Sequence, residues 1–159
     1  SGTHTVRSIL SQEAFALSGG SLTLSTNSEI ADLTLSGGTL SGTGDVTVSG
    51  TLSWTSGTMG GSGKPIIGAG TGVLNLSGST HSLNRVLQND GAATWTGGVL
   101  SLTSGTFNNN GSFTANSAST LTSYGQGGVS AFNNGVGATF TKQGAGVPRR
   151  SQPRPTCFS

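Results

Sequence analysis

One internal repeat limits what this chain can fold into. Residues 35–60, LSGGTLSGTGDVTVSGTLSWTSGTMG, and residues 76–101, LSGSTHSLNRVLQNDGAATWTGGVLS, match at nine of 26 positions without a gap, at an offset of 41. The matches include Leu35 with Leu76 and pair Trp54 with Trp95, the two tryptophans of the chain. A half-period runs alongside: LQNDGAAT from Leu87 and FNNNGSFT from Phe107 align at an offset of 20, and a looser copy, FNNGVGATF, starts at Phe132. A chain that repeats itself about every 20 residues is built as a stack of like units. Residues 108–119, which look like a polar linker, then become one turn of that repeat, with Phe107 and Phe113 as its apolar positions.

Within each unit the apolar residues alternate, as in Leu33/Leu35, Val46/Val48, Leu52/Trp54 and Ala93/Trp95. A period of two places each pair on one face of a strand, and Gly and Asn supply the positive-φ turns between faces. These features predict an all-β chain, a right-handed parallel β-solenoid (β-helix) with coils of about 20 residues, in which stacked Asn and Thr form ladders about 4.8 Å apart. The alternative is an antiparallel β-barrel or sandwich, with Asn110-Gly111 and Asn134-Gly135 as hairpin turns. The fixed period favours the solenoid. Residues 1–20 are read as an N-terminal cap or lead-in, with a weak helical period at residues 8–17. Residues 21–146 are the solenoid repeats. Residues 147–159 form a basic, Pro-rich tail, disordered or foreign to the repeat.

Composition narrows the function classes. Gly (28), Ser (25) and Thr (23) make up nearly half of the 159 residues, and 8% are charged, against about 25% in ordinary globular domains. Residues 1–148 hold four basic and five acidic side chains, so the body has no basic stripe for nucleic acid. No segment approaches the roughly 20 apolar residues of a membrane span, and no charged start leads into a signal-peptide core. The chain is therefore expected to be a mature form or an excised piece. Cys157 is the one cysteine, so there is no internal disulfide framework.

The stretches GTLSGTGDVTVSGTLSWTSGTM, LNLSGSTHSLN and FNNNGSFTANSAS resemble the repeats of filamentous-haemagglutinin-like and autotransporter-passenger bacterial β-helix proteins. The resemblance covers about residues 20–145 and lies in repeat style. It implies secretion or a cell-surface location, an extended rod, and roles in adhesion or display, with this chain as a fragment of a larger protein.

Candidate chemistry is sparse. GGSGKP at 60–65 lacks the first Gly and the Ser/Thr of a phosphate loop, and GAGTG at 68–72 has Val73 where a dinucleotide fingerprint has its last Gly; both read as turns. Parallel β-helices host carbohydrate-active enzymes, and glycoside hydrolysis needs two carboxylates at one sugar bond. Glu29 with Asp32, or Asp45 with a residue of a neighbouring coil, could supply them; Asp90 falls about four positions out of register with Asp45. The alternative is that these acids are solvated turn residues. His4 and His81 are far apart, so no metal site and no cofactor is expected, and nothing picks out a serine and an acid to complete a triad around His81. Trp54 and Trp95, two coils apart, would lie about 9.6 Å from each other, close to a disaccharide repeat. If exposed they would form a glycan-binding face, but their parity with Leu52 and Ala93 points them inward. The Thr-x-Thr pairs at 94–96 and 139–141 suggest a third reading, an ice-binding face, although the rows are irregular, mixed with Ser, and do not repeat as Thr-x-Thr on successive coils.

The leading expectation is thus a structural or adhesive solenoid segment of an extracellular bacterial repeat protein, with weak binding to a glycan or cell-surface polysaccharide. The second is a glycosidase using carboxylates on one solenoid face; the balance leans away from an enzyme. Neither nucleic acid nor a membrane is expected as a partner. Open coil ends or edges predict homo-oligomers.

Overall fold

The structure is a computed structural model and describes residues 2–116, 120–123 and 128–143. The tail assigned to residues 147–159 lies outside the described residues. The chain is a β-solenoid of about six turns of about 19 residues, with no helix among the described residues.

Each turn lays one strand on a seven-stranded sheet, then continues onto a twelve-stranded sheet. The first sheet stacks β1 (Thr3–Val6), β3 (Ser21–Leu24), β5 (Thr39–Gly42), β8 (Gly57–Met59), β11 (Thr80–Leu83), β14 (Val99–Leu102) and β17 (Leu121–Ser123), in that order. The second begins with two long strands, β2 (Leu10–Leu17) and β4 (Ser28–Leu35), and then divides into two limbs. One limb is β6 (Val46–Val48), β9 (Pro65–Ile67), β12 (Val86–Asn89), β15 (Thr106–Asn109) and β18 (Ala131–Asn134). The other is β7 (Thr51–Trp54), β10 (Val73–Leu76), β13 (Ala92–Trp95), β16 (Ser112–Ala115) and β19 (Thr139–Lys142). The limbs meet at β4, whose first half pairs with β6 and whose second half pairs with β7. From the third coil onward each turn is therefore three-sided.

All these pairings are parallel, which rules out the antiparallel barrel or sandwich. Asn110-Gly111 is a corner between β15 and β16, not a hairpin: both amides donate to the Asn89 carbonyl of the preceding coil. The weak helical period at residues 8–17 is not realised, because β2 is an extended strand of the first coil paired with β4.

Alternation decides which side chains go inside. Leu22, Leu40, Met59 and Leu83 point inward from the seven-stranded sheet, while Leu35, Trp54, Leu76 and Trp95 form one inward column on the other. The Trp54/Trp95 repeat is two real turns, 22 residues to Leu76 and 19 more to the second indole. The half-period also holds, with Leu87 beside Phe107 and Phe107 beside Phe132. In the last turns the core becomes aromatic. Phe107 stacks on Phe132 at 5.0 Å and Phe113 on Phe140 at 5.4 Å, and Phe107 meets Phe113 edge-on at 5.3 Å. Parallel stacking repeats the strand spacing, and the edge-on contacts join the two columns.

The gapless 41-residue alignment does not hold on the seven-stranded sheet. There Thr39 stacks on Thr58 and Thr58 on Ser82, so Thr39 leads to Ser82 and not to Thr80. The turn from Thr58 to Ser82 is 24 residues long against 19 for the turn before it: the step is still 19 from Val46 to Pro65, rises to 22 from Leu52 to Leu74 across the corner at 68–72, and reaches 24 from Gly57 to His81 across the corner at 77–79. A displacement of two residues preserves side-chain parity, so the core is unaffected.

A polar column runs through the interior. Asn89 Nδ2 donates to Asn109 Oδ1 at 2.8 Å, and Asn109 Nδ2 to Asn134 Oδ1 at 2.7 Å. The same two amides also donate to the Ser112 and Thr139 carbonyls at 3.1 and 2.9 Å. Asn89 and Asn109 are fully buried. They close the corner between the limbs by bonding both to the like residue of the next coil and to the next side of that coil. Removing a buried partner leaves amides unsatisfied at about 1–3 kcal/mol each. Asn109→Ala is therefore expected to lower stability by about 2–4 kcal/mol in urea unfolding. Asn108→Ala, which removes only the outward bond from Asn133, should cost less than about 1 kcal/mol.

Candidate functional site

The candidate acids sit at corners and outward positions of the twelve-stranded sheet, and most are occupied as hydrogen-bond acceptors. Asp32, at the bend between the two halves of β4, accepts the Thr51 amide of the next coil at 2.6 Å. Asp45, just before β6, accepts the Lys64 amide at 2.7 Å. Asp90, just after β12, accepts Gln88 Nε2 at 2.7 Å and Asn110 Nδ2 at 2.8 Å. In each case a carboxylate ties one coil to the next at a turn.

Glu29 is the exception. It is exposed on β4 and lines a cleft of about 90 Å³ with Leu10, Ser11, Gln12, Ile30, Ala31 and Ser49. The cleft lies where the β2–β4 register shifts between Ser11 and Ala14, a bulge that re-aims the strand locally. It is far smaller than the roughly 300 Å³ at which ligand pockets begin, and Asp32 is not part of its lining. Asp45 precedes β6 and Asp90 follows β12, two coils apart on one limb, so Ser49 and not Asp45 continues the column of Asp90.

Trp54 is fully buried and Trp95 is 5% exposed, so the exposure that a glycan-binding face requires is not met. Both indoles are core, as their parity with Leu52 and Ala93 indicated. Trp95 Nε1 donates to the Gly97 carbonyl at 2.8 Å, and Trp54 packs edge-on against the His81 ring at 5.2 Å.

His81 is completely buried in β11. Its Nε2 lies 2.9 Å from the carbonyl oxygens of both Trp54 and Ser77, and its Nδ1 lies 3.2 Å from that of Val99. The imidazole is enclosed by backbone acceptors of three coils, which leaves it no free nitrogen with which to activate a serine. Among the described residues no group of three or more His, Cys, Asp or Glu side chains could hold a metal ion.

The residue that sequence reasoning missed is Arg85. It lies at the corner between β11 and β12 and is 4% exposed. Its guanidinium reaches back over two coils: Nε donates to the Gly63 carbonyl, and Nη2 lies 3.5 Å from the Gly42 carbonyl. Among the described residues no acceptor partners the buried Nη1. Burial pushes the Arg85 pKa down to about 10, partly opposed by the negative charge of Asp45, so the side chain stays cationic at neutral pH. GGSGKP has its physical reason here. A Cβ on Gly63 would stand 2.8 Å from Nη2 and would also collide with the Gly44 carbonyl, so glycines at this corner make the channel that the arginine fills. The available signal was an Arg in an apolar strand context, above two glycine-rich corners one and two turns earlier.

A buried cation facing one nearby carboxylate is costly, and an apolar isostere often replaces such an ion at no loss or with a gain of about 1–4 kcal/mol. Arg85→Met is therefore expected to leave thermal stability unchanged or raised. Asp45→Asn removes the countercharge but keeps the arginine, and should lower stability by about 1–3 kcal/mol. Melting curves of the two variants at neutral pH check the pair; the reverse order would mean that Arg85 is held by more than its glycine channel.

Compared with known proteins, the chain matches no family model, no curated protein and no solved structure.

Proposed function

We propose that this chain is a structural segment of an extracellular bacterial repeat protein, a stack of coils that displays Ser, Thr and Asn faces with at most weak affinity for glycans or cell-surface polysaccharide. The observation that carries this reading is the use made of the acids. Asp32, Asp45 and Asp90 each hold a corner of the adjoining coil or its side chain. A retaining or inverting hydrolase needs two carboxylates free to face one sugar bond, whereas a scaffold needs its turns fixed to their neighbours. The few charges and the abundance of hydroxyl and amide side chains suit a surface exposed to solvent and to carbohydrate. Export to the cell surface follows from the same reading, as does association with further copies through strand edges.

The test is a screen of the purified protein against chromogenic glycosides and immobilised polysaccharides, with Glu29→Gln and Asp32→Asn as controls. The scaffold reading predicts no turnover of any substrate and glycan binding, if seen, that neither variant alters. Turnover abolished by Glu29→Gln would replace it with a glycosidase centred on the β2–β4 cleft.

A further inference from the structure

The seven-stranded sheet carries a regular array that cannot be seen along the sequence. Strand register places Thr3, Ser21, Thr39, Thr58, Ser82, Ser101 and Thr122 in one column, a hydroxyl on every strand without interruption. The spacing between these residues varies from 18 to 24 along the chain, which is why no Thr-x-Thr period marks them. They alternate with inward Leu22, Leu40, Met59 and Leu83, so they face out. Two residues along, Thr5, Thr23 and Ser41 form a second, shorter column, and Thr23 Oγ1 and Ser41 Oγ lie 3.0 Å apart. At the far end Ser101 is buried, where Ser130 Oγ bonds the Leu102 carbonyl. The open part of the array therefore runs from Thr3 to Ser82.

The second observation is independent of the hydroxyls. None of the seven strands contains Asp, Glu, Lys or Arg, whereas the twelve-stranded sheet carries Glu13, Glu29, Asp32 and Lys142. An uncharged face fits a neutral partner, and the repeat lengths specify which one. Along the stack the hydroxyls recur at about 4.8 Å, and along a strand every second residue recurs at about 6.6 Å. Water oxygens joined tetrahedrally by hydrogen bonds of about 2.75 Å form a lattice with repeats of about 4.5 Å and, at right angles, about 7.4 Å. The two grids agree within about a tenth on each axis.

We propose that the outward face of the seven-stranded sheet, from Thr3 to Ser82, binds ice. The hydroxyls hold first-layer waters near lattice positions, and the absence of charges leaves no strongly hydrated group to disrupt that layer. This inference stands apart from the scaffold reading, since a glycan screen tests neither the face nor its partner.

The experiment compares the wild-type protein with Thr58→Tyr, at the centre of the array, and Thr94→Tyr, an outward position on β13 of the other sheet. Circular dichroism verifies the fold of all three. Ice-crystal shape, thermal hysteresis and inhibition of recrystallisation are then measured, with sedimentation at the same concentrations. The proposal expects faceted crystals and hysteresis for the wild type and Thr94→Tyr, and loss of both for Thr58→Tyr. It is overturned by a folded wild type without effect on ice, by equal loss in both variants, or by retention in Thr58→Tyr. A wild-type dimer that Thr58→Tyr dissociates, with no effect on ice, would also overturn it and assign the face to a second copy of the chain.

Discussion

Each coil must return its backbone donors and acceptors to the coil beside it, about 4.8 Å away and in the same direction. In a parallel stack no strand can satisfy itself, and the strands between the two ends pair their amides and carbonyls only through the register of the whole turn. The limbs and the seven-stranded sheet depend on this single condition, and chain-length variation is confined to the corners. One turn takes 18 residues, from Thr3 to Ser21, and another takes 27, from Phe113 to Phe140. From the third coil onward the sides are three or four residues long, and the variation in turn length falls between them.

The corners explain the unusual composition. Where two coils touch at a bend, a side chain has little room, and Gly98 illustrates the limit: it adopts φ 79°, and a Cβ there would meet the Ser79 carbonyl and stand 2.8 Å from the His81 ring. Where a corner is wider it holds a polar side chain. Arg85 occupies the glycine corners of two preceding coils, and the Asn89–Asn109–Asn134 column, buried at Asn89 and Asn109, closes the next bend. Asp32 and Asp45 accept backbone amides at such bends, and Asp90 accepts the side-chain amides of Gln88 and Asn110. Asp32, Asp45 and Asp90 are thereby committed to inter-coil bonding, and the strands of the seven-stranded sheet carry no Asp, Glu, Lys or Arg.

Much of this was legible from the residues. The tryptophan pair and the FNN recurrence gave the coil length, parity placed Trp54 and Trp95 in the core, and the four-position displacement of Asp90 from Asp45 matches the observed columns. What the sequence concealed was path length at the corners. A gapless comparison follows Leu35 to Leu76 correctly but misplaces Thr39 by two residues, because Gly-rich insertions carry no apolar marker of register. Two-residue displacements preserve parity and so leave the hydrophobic pattern intact; the hydroxyl column on the seven-stranded sheet was hidden for that reason. Arg85 was hidden differently: a lone arginine normally reads as a solvated surface residue, and its burial depends on glycines 22 and 43 residues earlier.

Leu87, Phe107 and Phe132 are neighbours in one column of parallel strands. The most direct test is the pattern of interstrand nuclear Overhauser effects in the isotope-labelled protein. The parallel stack predicts contacts from the α-protons of β12 to amide protons of β15, and from β15 to β18, together with ring contacts between Phe107 and Phe132. Close α-proton to α-proton pairs flanking Asn110-Gly111 would mean that β15 and β16 form an antiparallel hairpin, and would contradict the solenoid.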